Sequence, residues 1–298
     1  MRLLSFLLLW APLSSWAQPP AQGLLWRVEG PAGGRASYVL GTVHSRDARA
    51  FGQVPQVLGA MRGLDGVAGE LDLTDAALPS LSLAMAMMMP DGQQLADLYT
   101  GRQWKQVQEA IAEHLGPVAV MAGRMKPFFL MSLLSESAMR TDSAMVLDQY
   151  LQVKAREMGL ETLGLETLEE QLAAVDDLPL KEQAGMLLQL VRNGLYAADM
   201  DSMMEAYAAQ DLGRLTRIAS LGGLSDGFNE RLLTARNQVM AQRADSLMQA
   251  DKALLFAVGA AHLPGADGVL ERLRRMGYAV EPVPAPAPMP ALRPETGP

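Results

Sequence analysis

Residues 37–47, SYVLGTVHSRD, decide how this chain is read, because they carry a histidine out of the end of a buried strand. Tyr38, Val39 and Leu40 are strand formers, and Gly41 lets the backbone turn or approach another group closely. His44 follows just past that turn. The design returns at 254–265, LLFAVGAAHLPG, where Leu254 to Val258 predict a strand, Gly259 the turn, and His262 comes three residues later. Two of the three histidines therefore lie in G-x-x-H. With 27 glycines among 298 residues, chance gives that coincidence roughly once in forty.

Working outward, Leu24 to Glu29 and Ser37 to Leu40 predict a hairpin across the glycine-rich turn 30–34. Gly66 to Leu73, GVAGELDL, reads as a buried strand that puts Glu70 and Asp72 on one face. Two acids on an otherwise apolar strand need a partner. The segment from Leu78 to Met89 predicts a Met-rich helix, read either as adaptable packing or as a soft copper site. Thr100–Gln103 and Thr167–Glu170 are capping boxes that open helices. His114 falls in a last helical turn, where it complements the helix dipole. Helices are also predicted over 54–62, 126–140 and 144–158, with a short strand over 161–166 that leaves Glu166 at a strand-to-helix junction.

Residues 180–250 are mostly helical, broken near Gly194 and Gly222-Gly223. In the helix predicted over 228–248, Arg236 and Arg243 fall inside the apolar arc. Core-facing arginines leave three choices: heads that reach solvent, ion pairs with Glu70, Asp72 or Glu166, or contact with a substrate anion. A helix over 265–276, ended by Gly277, and a strand over 278–283 complete a β-turn-α-β unit.

The N-terminus predicts an export signal over residues 1–17. Arg2 is basic, Leu3 to Leu13 is apolar but too short to span a bilayer, and Ser15-Trp16-Ala17 fits a cleavage site before Gln18. The expected organisation is one domain over 18–283, then a proline-rich, unpacked tail over 284–298. Export places the mature protein in the periplasm or outside the cell, with no stable membrane insertion. A formal charge of −8 argues against nucleic acid as a partner. The absence of cysteine removes thiolate metal sites and disulfides.

Seven segments in order resemble the TraB/GumN family, which is related to the Tiki metalloproteases and to erythromycin-esterase and ChaN-like proteins. They are YVLGTVH (38–44), GELDL (69–73), MKPFF (125–129), LDQYL (147–151), LGLETLEEQL (163–172), LLTARNQVMA (232–241) and VGAAHLPGADGVLERLRRMGY (258–278). The resemblance implies a three-layer α/β fold of two related halves. Each half would have a small, mostly parallel sheet and one G-x-x-H turn, with a large helical insertion between them. It further implies a metal site of His44, His262 and Glu70, with Glu70 and Arg236 catalytic and Asp72, Glu166, Asn237, Gly41 and Gly259 in support. The chain departs from the pattern at Ala235, where related sequences tend to carry an acid ahead of Arg-Asn.

Two imidazoles and a carboxylate form an N/O ligand set suited to Mn, Co, Zn or Fe. Glu70 would be the third ligand or the general base, and Arg236 a clamp on the developing oxyanion or on a substrate carboxylate. The expected activity is metal-dependent hydrolysis of a peptide or an envelope-derived substrate. The alternatives are a non-catalytic protein that binds a peptide or envelope glycan, and a metal-free esterase using a histidine base.

Overall fold

The computed structural model describes residues 23–31, 33–75, 80–194, 198–221 and 226–284. The expected export signal and the proline-rich tail from residue 285 onward lie outside the described residues, as does the Gly222-Gly223 break. Six strands form one sheet: β1 (Leu25–Glu29), β2 (Ser37–Thr42), β3 (Gly66–Gly69), β4 (Glu161–Gly164), β5 (Leu254–Gly259) and β6 (Ala279–Pro282). Their order is β4-β3-β5-β2-β1-β6. The four strands β4, β3, β5 and β2 run parallel, while β1 pairs antiparallel with β2 and with β6.

The inner strands are apolar runs without alternation, as burial on both faces of a parallel sheet requires. Every residue of β3 is buried, and so is every residue of β5 before Gly259. The 25–29 and 37–42 strands make the expected hairpin, with Leu25 opposite Leu40. A continuous core gathers Val39, Leu40, Val67, Leu255 and Phe256 with Leu151 from the Leu147–Glu157 helix.

Two sequence expectations are corrected. The two small sheets are a single sheet, with both G-x-x-H strands side by side as β2 and β5. Second, the 66–73 strand stops at Gly69. Beyond it the Glu70 carbonyl still accepts the Glu166 N–H at 2.8 Å, and then a side chain takes over: Gln152 Nε2 donates to the Leu71 carbonyl at 2.8 Å, and its Oε1 accepts the Leu73 N–H at 2.7 Å. The β-turn-α-β unit at the C-terminal end forms as β5, the Val269–Arg275 helix and β6; both edges of β5 are occupied, by β2 and β3, so β6 pairs with the free edge of β1.

The described chain is largely helical between β3 and β4 and again between β4 and β5, and these two segments build a second apolar cluster that contains no strand residue. It joins Leu95, Val107, Ile111, Met125, Leu130, Leu134 and Leu187. Met87 and Met88 pack against this cluster and Met89 is buried, while Met85 is exposed. Packing therefore accounts for three of the four grouped methionines. Both capping boxes form, at Thr100 with Gln103 and at Thr167 with Glu170. The helix expected over 228–248 begins instead as Asp226–Asn229, passes through a π-helical turn over Glu230–Thr234, and continues as Ala235–Gln249.

Candidate active site

Parallel pairing brings the C-terminal ends of four strands into one row. Thr42 is level with Gly259, Ala257 with Gly69, and Gly69 with Gly164. The residues that follow these ends are His44 from β2, His262 from β5, Glu70 from β3 and Glu166 from β4. In open α/β sheets this edge is where ligands gather. A cleft of about 180 Å³ opens there, lined among others by Thr42, His44, Glu70, Asp148, Gln152 and Gln171.

The two motif glycines are there for close approach. Gly41 lies within β2, and a Cβ on it would stand 2.7 Å from Leu263 Cδ1 and 3.2 Å from Ala260 Cα. Gly259 ends β5, and a Cβ there would meet Glu70 Oε1 at 3.1 Å. Without side chains at these positions, the turn carrying His262 packs on β2 and Glu70 reaches the β5 backbone.

Glu70 is the hub. Its Oε1 accepts the Gly259 N–H at 2.7 Å, and its Oε2 accepts from Arg236 Nη2 at 2.6 Å and from Gln171 Nε2 at 3.3 Å. Burial pushes its carboxyl up, but Arg236 and the Gly259 N–H hold it below the usual carboxylate range. Arg236 also grips Glu166, with Nε at 3.0 Å and Nη2 at 2.6 Å from its two oxygens. Of the three choices left open for Arg236, the structure realises the ion pair. Arg243 likewise pairs with Glu170 and donates to the Leu165 carbonyl.

His262 is buried, its side chain only 6% exposed. Asn237 Nδ2 donates to the Asp267 carbonyl at 2.9 Å, which leaves Asn237 Oδ1 to face His262 Nδ1 at 2.6 Å. The ring proton is thereby assigned to Nδ1, and Nε2 presents a lone pair 3.6 Å from Glu70 Oε1. Burial pushes the His262 pKa down, against the pull of Glu70. This buried ring reaches the cleft through Glu70.

His44 differs, with a side chain 68% exposed in the mouth of the cleft. Its Nδ1 lies 3.7 Å from Asp148 Oδ2. The other Asp148 oxygen accepts the Thr42 hydroxyl at 2.5 Å. Asp148 raises the His44 pKa.

Asp72 stands apart from this network. It accepts from Thr74 and Thr162 and lies 3.8 Å from Arg156, fastening the loop after β3 to β4. Ala235 is exposed on its helix, next to half-buried Arg236 and buried Asn237. Asp148, Gln152, Gln171 and Thr42 were not among the sequence candidates. The one available signal was the four-residue spacing of Asp148 and Gln152, which puts both on one helix face.

Among the described residues, no three His, Asp or Glu side chains are gathered so as to cage one ion as they stand. The donor chemistry nevertheless fits a divalent cation on two counts. His262 offers Glu70 a lone pair where a proton would be expected. Asp148 Oδ2 is a buried carboxylate oxygen without a hydrogen-bond donor. In the His262–Glu70 pair two electron-rich atoms face each other at 3.6 Å, too long for a hydrogen bond.

A family model for the TraB/PrgY/gumN family matches residues 24–282. The chain belongs to this family. Similar curated proteins include Metalloprotease TIKI2 of Xenopus tropicalis, 26% identical over 88% of this chain and 60% of that protein. Metalloprotease TIKI2 of Danio rerio is 25% identical over 92% of the chain and 63% of its own length. Metalloprotease TIKI1 of Homo sapiens is 25% identical over 85% and 61% respectively. This family member thus spans about three fifths of the length of the curated relatives it matches. No solved structure matches it. Among the described residues no helix is long and apolar enough to cross a membrane.

Proposed function

We propose that the protein is an exported metal-dependent peptidase, acting on a peptide or an envelope-derived substrate at the cleft formed by the ends of β2, β3 and β5. The observation that carries this reading is the delivery of His44, His262 and Glu70 from adjacent parallel strand ends. The relatives named metalloproteases support it. His44, His262 and Glu70 would hold a divalent ion such as Mn, Co, Zn or Fe, which when bound polarises a carbonyl and activates water at neutral pH. Glu70, kept ionised by its three donors, serves as that third ligand or else as the chain's own proton acceptor for the attacking water. Arg236 is a positioning residue: its Nε and Nη2 fix Glu70 against Glu166, and its Nη1 donates to the Leu232 carbonyl. Gln171, which donates to both acids, completes the wall of the cleft.

The test is to strip the purified protein with chelator and reload it with Mn, Co, Zn and Fe in turn. Retained metal is measured by mass spectrometry and cleavage on a peptide library. His44→Ala and His262→Ala are expected to lower both, with at least 100-fold lost from cleavage, whereas Glu70→Gln removes cleavage. Wild-type protein that retains no ion and cuts no peptide under any loading overturns the proposal. One observation favours a second reading, a binding protein without turnover: both Glu70 oxygens already have donors, as in a structural hub. That reading expects intact peptide to bind with an affinity indifferent to either histidine change.

A further inference from the structure

The two motif histidines face their surroundings in the same way. In His262 the proton sits on Nδ1 because Asn237 Oδ1 accepts it at 2.6 Å, and Nε2 is left as the open atom. In His44 the atom nearest an acceptor is again Nδ1, 3.7 Å from Asp148 Oδ2. That oxygen is buried and has no hydrogen-bond partner, a state that is unfavourable until a donor arrives. The exposed His44 ring is the group placed to supply one. Thr42 Oγ1 pins the other Asp148 oxygen at 2.5 Å, and the aspartate stands in the first turn of the Leu147–Glu157 helix. Thr42 is the last residue of β2, two before His44, so strand and helix aim the acceptor at the ring together.

We infer that Asp148 is the positioning residue for His44: its Oδ2 accepts the Nδ1 proton and thereby holds Nε2 unprotonated toward the cleft, as Asn237 does for His262. The consequence for ligation rests on the function proposed above, in which both rings hold an ion. Oxygen partners on the distal nitrogen orient metal-ligating imidazoles in general and change affinity 10- to 100-fold when removed. The placement of the proton does not depend on any ion. A charged acceptor on His44 and a neutral one on His262 would also make the exposed ring the more basic donor of the two.

The experiment is nitrogen NMR of the metal-free full chain labelled with ¹⁵N-histidine, at about pH 9, where an imidazole is neutral. His44 is assigned by the signal lost in H44Q. The wild type is expected to carry the His44 proton on Nδ1. In D148A the proton should revert toward Nε2, the site an unconstrained neutral imidazole prefers in water. D148N, of the same shape, should give an intermediate population and is the variant to read if D148A does not fold. A wild-type ring protonated on Nε2, or an unchanged proton position in a folded Asp148 variant, overturns the inference. A second arm titrates Co²⁺ into wild type and D148N, with a 10- to 100-fold weaker affinity expected in the variant. Equal affinities refute the role in ligation, whereas a wild type that binds no Co²⁺ while its proton sits on Nδ1 refutes the metal reading and leaves the positioning intact.

Discussion

Arg236 shows why a single residue can matter to fold and site together. Its guanidinium lies between Glu70 and Glu166, and the Glu166 side chain is only 3% exposed. Arg236→Ala would leave two half-desolvated carboxylates facing each other, an arrangement that costs about 3–5 kcal/mol when a buried pair is broken from one side. Urea denaturation is expected to register that loss, and the Arg236→Ala/Glu166→Gln double variant to recover part of it, because the two changes share one interaction. Arg236→Lys should not rescue, since an ammonium cannot bind both oxygens of Glu166 and still reach Glu70.

The Glu170–Arg243 pair behaves differently because it is exposed. Hydrogen bonds from Arg243 and from the Thr167 N–H bring the Glu170 carboxyl down to about 2. A depressed carboxylate stabilises the fold above its unfolded value of 4.5, and this contribution fades as pH falls through the interval down to about 2. Glu170→Gln should therefore lower stability at pH 7 by less than about 1 kcal/mol, given solvent screening. Wild type and variant should converge as the pH approaches 2, which thermal melts across that range would show. Thr167 and Glu170 were legible as a capping box because such a box is local, with both partners three residues apart. Asp148 was not legible, since its meaning comes from Thr42, 106 residues earlier in the chain.

Strands and helices followed from pattern where their causes are local. The β1–β2 hairpin and the β5 run were legible in hydrophobicity and turn residues, and the capped helices in their first four residues. Boundaries failed where another element intervened. The β3 strand ends at Gly69, beyond which Gln152 takes the Leu71 carbonyl and the Leu73 N–H, and a Cβ on Gly69 would stand 2.2 Å from its Nε2. Gly41 sits inside β2 because the turn after β5 presses on it. Gly41→Ala is expected to destabilise by about 1–3 kcal/mol through overpacking. Adding Leu263→Ala should not restore stability fully, since Ala260 Cα, a backbone atom, remains 3.2 Å from the new methyl. Chemical denaturation of the two variants checks both statements.

At the scale of the molecule, the sheet core and the helical cluster around Leu130 and Leu134 are separate apolar bodies. The larger one contains every inner strand, so native-state hydrogen exchange should find β2 and β5 opening only with global unfolding. The Gly101–His114 and Pro127–Ser137 helices should exchange through a cheaper opening. Equal protection in both regions would mean that the two cores unfold as one. The row of strand ends that forms the candidate site belongs to the larger body.

From the sequence alone came the ingredients: two G-x-x-H turns at strand ends, an acid after a buried strand, capped helices and a mostly parallel α/β class. These are encoded within windows of a few residues, where hydrophobic period and turn chemistry act. Only the tertiary structure decided that both histidine strands are neighbours in one sheet, that Arg236 is consumed by Glu70 and Glu166, and that Asp148 and Gln171 stand at the cleft. Those facts depend on which strand edges are left free and on which charges meet after a hundred residues of intervening chain. Neither is written in any local stretch.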